Sequence, residues 1–250
     1  MKKYIWYEVK NNLGNIMSII FGLIFPTVMT NLFFYVFKSQ LSASESIVKF
    51  GTQLFLVNLL MAPLALVLVG FTATFSQEIE QGMTLRLSLF GYSHKKQILA
   101  KLVSQFFVVI FAIGIYCACS LITIPVLTPS PTVLFIYILC MVLLVVLFFL
   151  FAYAISMLTK KFSGAFGISM SFYFVVMILS GMMGIQPDQF PSGVRYISNL
   201  LPTTQIALLF PKVWDMQIQN PAPLIQSFLF LSALCGVLLL PVFLKNKRHV

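Results

Sequence analysis

Six apolar runs, at residues 16–37, 54–75, 102–127, 132–158, 162–185 and 224–244, restrict this chain more than anything else in it. None of the six contains Asp, Glu, Lys, Arg or His. About 20 apolar residues suffice for a helix to cross the roughly 30 Å of bilayer hydrocarbon, and each run reaches that length. With 60% hydrophobic and 9% charged residues, and a mean hydropathy of +0.98, the chain reads as a polytopic membrane protein and not as a soluble globular domain. The expectation is an all-α integral membrane fold of six transmembrane helices in a single domain over 1–250.

The net charge of +10 would point to nucleic acid in a soluble protein, but here the basic residues gather at the ends of the apolar runs. Lys2, Lys3, Lys10, Arg86, Lys95, Lys96, Lys101, Lys160, Lys161, Lys245, Lys247 and Arg248 share one side of the layout. Lys38, Lys49, Arg195 and Lys212 fall on the other. The positive-inside rule then puts both termini in the cytoplasm, with the chain in the cell (plasma) membrane and no nucleic-acid partner. The segment 1–15 carries Trp6 and three tyrosine or isoleucine neighbours among its lysines. It reads as a short interfacial helix anchored on membrane lipid by Trp6.

Cys117, Cys119, Cys140 and Cys235 lie inside the apolar runs with no metal-ligand spacing, and behave as small hydrophobes. His94 and His249 stand alone and read as solvated. Asn31, Asn58 and Gln105 are the strongest polar groups within the runs and read as interhelical hydrogen-bonding groups.

The longest polar interval on the basic side is 77–101. Within it Ile79, Met83, Leu87 and Phe90 share one helical face, while Leu85 and Leu89 form a second, narrower stripe. The expectation is one amphipathic helix over 79–90 that ends at Gly91, with Ser93 capping the next. Apolar residues on two sides ask for two partners. On the opposite side, prolines cut 185–210 into two short helical pieces, about 191–201 and 203–210, with Pro191 in a first turn and Thr203 as an N-cap. Both are too apolar for water and too short to span, which predicts an external re-entrant hairpin between spans five and six, the alternative being a helical cap lying on the membrane surface.

The order Glu78, Glu80, Gly82, Leu85, Ser93, Lys101 in the first loop resembles the coupling-loop pattern of the type-2 (ABC-2) exporter superfamily, the six-span permeases served by a separate ATPase. Ile79, Met83, Gly91, His94 and Ala100 depart from that pattern. The stretch with Ser180, Gly181, Pro191, Ile197, Ser198, Leu201 and Pro202 is similar to the family's external segment. The resemblance implies a permease subunit that is not itself an enzyme. ATP and Mg would be held by a partner ABC ATP-binding subunit, and a second permease copy would complete the route, as a homodimer or related heterodimer. It implies that Glu78, Glu80, Gly82, Leu85, Leu89 and Phe90 couple the permease to that ATPase. Leu85 and Leu89 would enter a cleft of the ATPase, and Glu78 and Glu80 would pair with basic residues there or on the N-terminal helix. It assigns Pro191, Val194, Ile197 and Pro202 to the external re-entrant segment.

The chain carries no GxxxxGK[ST] loop, HExxH or GxSxG motif. A route lined by Phe, Leu, Met and small polar residues suits an amphipathic cargo such as a drug, an antimicrobial peptide or a lipid-like molecule. The alternatives are a secondary transporter, against which the charge-free spans argue, an intramembrane enzyme, or a non-transporting assembly or immunity factor.

Overall fold

The computed structural model describes residues 1–39, 44–214 and 220–247. Arg248 and His249 lie outside the described residues. Among the described residues there is no strand, and six helices are long and apolar enough to cross a membrane. An N-terminal helix, Lys2–Leu13, precedes them. Span 1 runs over 16–38 and span 2 over Ser46–Glu80. Spans 3 to 6 are His94–Thr123, Pro131–Thr159, Phe162–Leu179 and Ala222–Lys247. A short loop helix, Met83–Leu89, joins spans 2 and 3. Two more, Ser192–Asn199 and Pro202–Val213, lie between spans 5 and 6.

Span 2 is the axis of the bundle. Its most apolar stretch is 94% buried inside the protein, whereas no other span exceeds 50%. Such a helix is apolar on every face because every face meets another helix. Spans 1 and 2 approach so closely that a methyl group on Gly22 would sit 2.6 Å from Leu66, and one on Gly70 would sit 2.4 Å from Ser18 Oγ. Glycine at both positions permits the crossing.

Span 2 is also irregular. Pro63 has no N–H to give the Leu59 carbonyl, and the Leu60 N–H turns to Val57 O at 3.3 Å. Beyond Pro63 the chain widens into a π-helix over Leu64–Phe71. The Leu56 carbonyl, left by Leu60, accepts instead from Tyr137 Oη of span 4 at 3.0 Å. The adjacent Phe55 carbonyl accepts from Tyr116 Oη of span 3, also at 3.0 Å. Two buried tyrosines on successive spans thus grip consecutive peptide groups of the central helix.

Several expected boundaries move. Span 2 begins well before residue 54, and span 3 begins at His94 instead of 102, so Lys95, Lys96 and Lys101 stand on its first turns. Span 5 stops at Leu179 and not at 185, because Gly181 and Gly184 take positive φ angles of 78° and 85° and turn the chain. The two pieces beyond it begin at Ser192, with Pro191 as the cap, and at Pro202. Thr203 is therefore inside a helix and not its N-cap. Its hydroxyl meets Ser180 Oγ at 2.6 Å, and Thr204 meets the same oxygen at 3.1 Å. Ser198 Oγ donates to Leu179 O at 2.8 Å, so buried hydroxyls lash this helical pair to the end of span 5.

Candidate functional site

The site is built where the N-terminal helix, the end of span 2 and the start of span 3 meet. Each of two helices contributes a polar triple at i, i+3 and i+4, the spacing that places three residues on one face. The N-terminal helix brings Glu8, Asn11 and Asn12, and span 3 brings Lys101, Ser104 and Gln105. The two faces zip together. Lys101 Nζ lies 2.8 Å and 2.9 Å from the two carboxylate oxygens of Glu8. Asn12 Nδ2 donates to Ser104 Oγ at 2.6 Å, and Gln105 Nε2 donates to Asn12 Oδ1 at 3.0 Å.

Span 2 closes the cluster with Glu78, whose Oε2 stands 2.7 Å from Lys101 Nζ and whose Oε1 accepts from Asn11 Nδ2 at 3.2 Å. Lys101 is only 2% exposed. An ammonium has three N–H bonds and no accepting capacity, so a lone buried lysine is costly; here carboxylates meet it from two elements. Its Nζ also lies 5.7 Å from the centroid of the Phe75 ring. Burial, and then the neighbouring Glu8 carboxylate, push the Tyr4 phenol above its ordinary value. Its ring packs on Tyr92 with centroids 5.0 Å apart, which ties the N-terminal helix to the loop as well.

The loop helix hangs from this joint. Span 2 ends at Glu80, and Gly82 turns the chain with φ +68° and ψ 18°, so 79–90 is two elements and not the single helix expected. A glycine takes this left-handed conformation at little cost. Ile79 consequently belongs to the last turn of span 2, apart from the loop helix on which Met83 and Leu87 lie. The loop helix ends as expected: Gly91, at φ 86°, and Tyr92 return their N–H groups to Ser88 and Leu87. Gln97, buried at the start of span 3, donates to Thr84 O and Tyr92 O at 3.1 and 2.7 Å and holds the loop from below.

Above that support the loop helix presents Leu85, Leu89 and Phe90 at 67, 81 and 78% exposure. Phe90, whose spacing puts it on the face of Ile79, Met83 and Leu87, stands exposed with the outward pair instead. Glu78 and Glu80 are both engaged within the chain. Glu78 is bound to Lys101 of span 3, not to the N-terminal helix's lysines. Glu80 Oε2 accepts from the Phe162 N–H at 2.7 Å, at the N-terminal end of span 5, where the helix dipole favours a carboxylate. His94, expected in water, places Nε2 3.0 Å from Tyr153 Oη of span 4. Gln105 does join two helices, while Asn31 Nδ2 bonds Thr27 O on its own helix.

The other sequence-selected residues lie apart. Trp6 is exposed on the N-terminal helix, with Lys10 Nζ 5.8 Å from its ring centroid. Pro191, Val194 and Ile197 are exposed on the far side, and Pro202 is buried at the start of its helix. Glu8, Asn11, Asn12 and Gln97 were missed. The matching triples at 8, 11, 12 and 101, 104, 105 were the available signal. Among the described residues no cluster of His, Cys, Asp and Glu could hold a metal.

An all-helical bundle of six apolar spans, five of them around a buried sixth, is a multi-pass membrane protein. The family model for the ABC-2 type transporter matches residues 2–208, and the chain belongs to that family, whose members are membrane components of transporters and not catalysts. No curated protein and no solved structure matches the chain.

Proposed function

We propose that this chain is the membrane-spanning subunit of an ATP-driven exporter, and that it takes its driving force through the loop helix Met83–Leu89. The observation that carries this reading is the pairing of an exposed apolar edge with a rigid support. Leu85, Leu89 and Phe90 project outward, while the helix is braced by Gln97 and adjoins the Glu8–Lys101–Glu78 joint. An edge so placed fits a cleft in a separate ATP-binding subunit, which would bind ATP and Mg. Movement of the edge would reach the N-terminal helix, span 2 and span 3 together, because the joint binds all three.

The excess of Lys and Arg on the N-terminal side supports a cytoplasmic location for this edge and both termini. A second copy of the chain, or a related permease, would complete the route, with an amphipathic drug, peptide or lipid-like molecule as cargo. In that setting Trp6 anchors the N-terminal helix at the lipid surface, and Pro191, Val194, Ile197 and Pro202 belong to a helical pair dipping into the outer leaflet.

Truncating Leu85 and Leu89 to Ala tests the docking role. Each leucine contributes about 1.5–3 kcal/mol when fully buried, so losing both weakens the complex by about a hundredfold or more. The expected outcome is loss of the ATPase from a tagged, membrane-inserted permease. Equal ATPase recovery with the parent and the double variant would sink the assignment.

A further inference from the structure

Spans 3 and 4 follow one another in the chain yet scarcely touch. Each is fastened to span 2 through its own tyrosine, and between them lies a groove of about 590 Å³. Leu56 and Leu59 of span 2 form its floor, Ile113 of span 3 and Ile138 of span 4 line its two walls, and Trp214 lies at the end away from the N-terminus. From Phe106 to Leu121 the span 3 wall is about 22 Å long at 1.5 Å per residue.

The lining says what kind of molecule the groove takes. Tyr137 and Trp214 bring polar atoms to it but spend them elsewhere, on Leu56 O at 3.0 Å and on Leu127 O at 2.9 Å. Nearly all the remaining surface is hydrocarbon. The groove opens sideways among Ile110, Ile138 and Val142, which are exposed on helices that cross a membrane. Bilayer hydrocarbon is therefore the phase at its mouth. A helix with side chains is about 10–12 Å across, so a second copy could cover that mouth but could not fill a slot between two diverging spans. An unbranched chain can.

We propose that this groove is a binding site for one fatty-acyl tail of a membrane phospholipid, drawn from the leaflet opposite the N-terminus. The tail wedges between spans 3 and 4 and lies against the peptide groups of span 2 that Tyr116 and Tyr137 hold.

Trp214 is a built-in reporter, since Trp6 is the only other tryptophan in the sequence and lies on the N-terminal helix. In a Trp6→Phe background, the full chain is reconstituted into vesicles of phosphatidylcholine brominated along its acyl chains. Trp214 is 3% exposed, so its ring is shielded from lipid outside the protein. An acyl tail in the groove brings bromine close to the ring, and much of its emission is lost relative to unbrominated vesicles. Ile113→Phe and Ile138→Phe, each filling the groove from a different wall, restore that emission. Either variant alone suffices if the other fails to fold. Full emission in brominated vesicles, as a groove covered by a second copy or by cargo would give, overturns the proposal. So does quenching that survives in the folded filled variants.

Discussion

Lys101 is the residue on which the N-terminal side of the bundle depends. Replacing it with Met leaves Glu8 and Glu78 buried without their cation, a change that costs about 3–5 kcal/mol. Glu8→Gln is milder, because Lys101 keeps Glu78 as a counter-ion and the amide oxygen still accepts a hydrogen bond. Thermal unfolding followed by tryptophan fluorescence should therefore rank Lys101→Met well below Glu8→Gln, and limited proteolysis should release the N-terminal helix first in the Met variant. Equal stability of the two variants would mean that the cluster does not depend on its cation. Sequence reading placed Lys101 in a polar loop because it stands next to an apolar run. A lysine at a membrane boundary and a lysine in a buried ion pair look alike until a second helix is seen to carry its acid, and that acid is 93 residues away.

At the scale of elements, the six spans were legible because hydrocarbon thickness sets a length that composition alone reveals. Their ends were less so: Ser93 was legible as the cap that starts span 3, but nothing in the apolar run ending at 185 showed that Gly181 would stop span 5 early. The break at Gly82 was hidden because the apolar spacing from Ile79 to Met83 continues across it. That glycine carries a specific expectation. A methyl group there meets nothing within 4 Å, so Gly82→Ala pays only for its left-handed backbone, about 1–2 kcal/mol. The loop helix should lose its fixed direction while the Lys101 joint remains formed. Co-purification should show weakened ATPase recovery with little loss of N-terminal protease protection. Unchanged recovery would show that the direction set by Gly82 does not matter for docking.

For the whole molecule, the proposed orientation has a direct consequence. In a variant without its four cysteines, a single cysteine at Asp188 should react with an impermeant thiol reagent on intact cells, and one at Gln81 should react only after the cells are opened. Reaction at Gln81 in intact cells would reverse the orientation. A charged residue at Val194 or Ile197, both exposed on the far side, should reduce export without loosening the ATPase. The central place of span 2 was not readable from hydropathy, because the sequence shows that a helix is apolar without showing whether lipid or protein covers it.

The joint between Glu8 and Lys101 also imposes a schedule on synthesis. The N-terminal helix is translated first, but its binding partner follows 93 residues later. At about 5–20 residues per second the nascent helix waits on the order of 5–20 seconds with Glu8 unpaired. During that interval, on the proposed orientation, Trp6 and the lysines would hold the helix at the membrane surface while span 1 follows directly behind it. If Trp6 anchors the helix as proposed, its first use is in the newborn chain, and a substitution such as Trp6→Ala should lower the yield of assembled protein more than the stability of molecules already assembled.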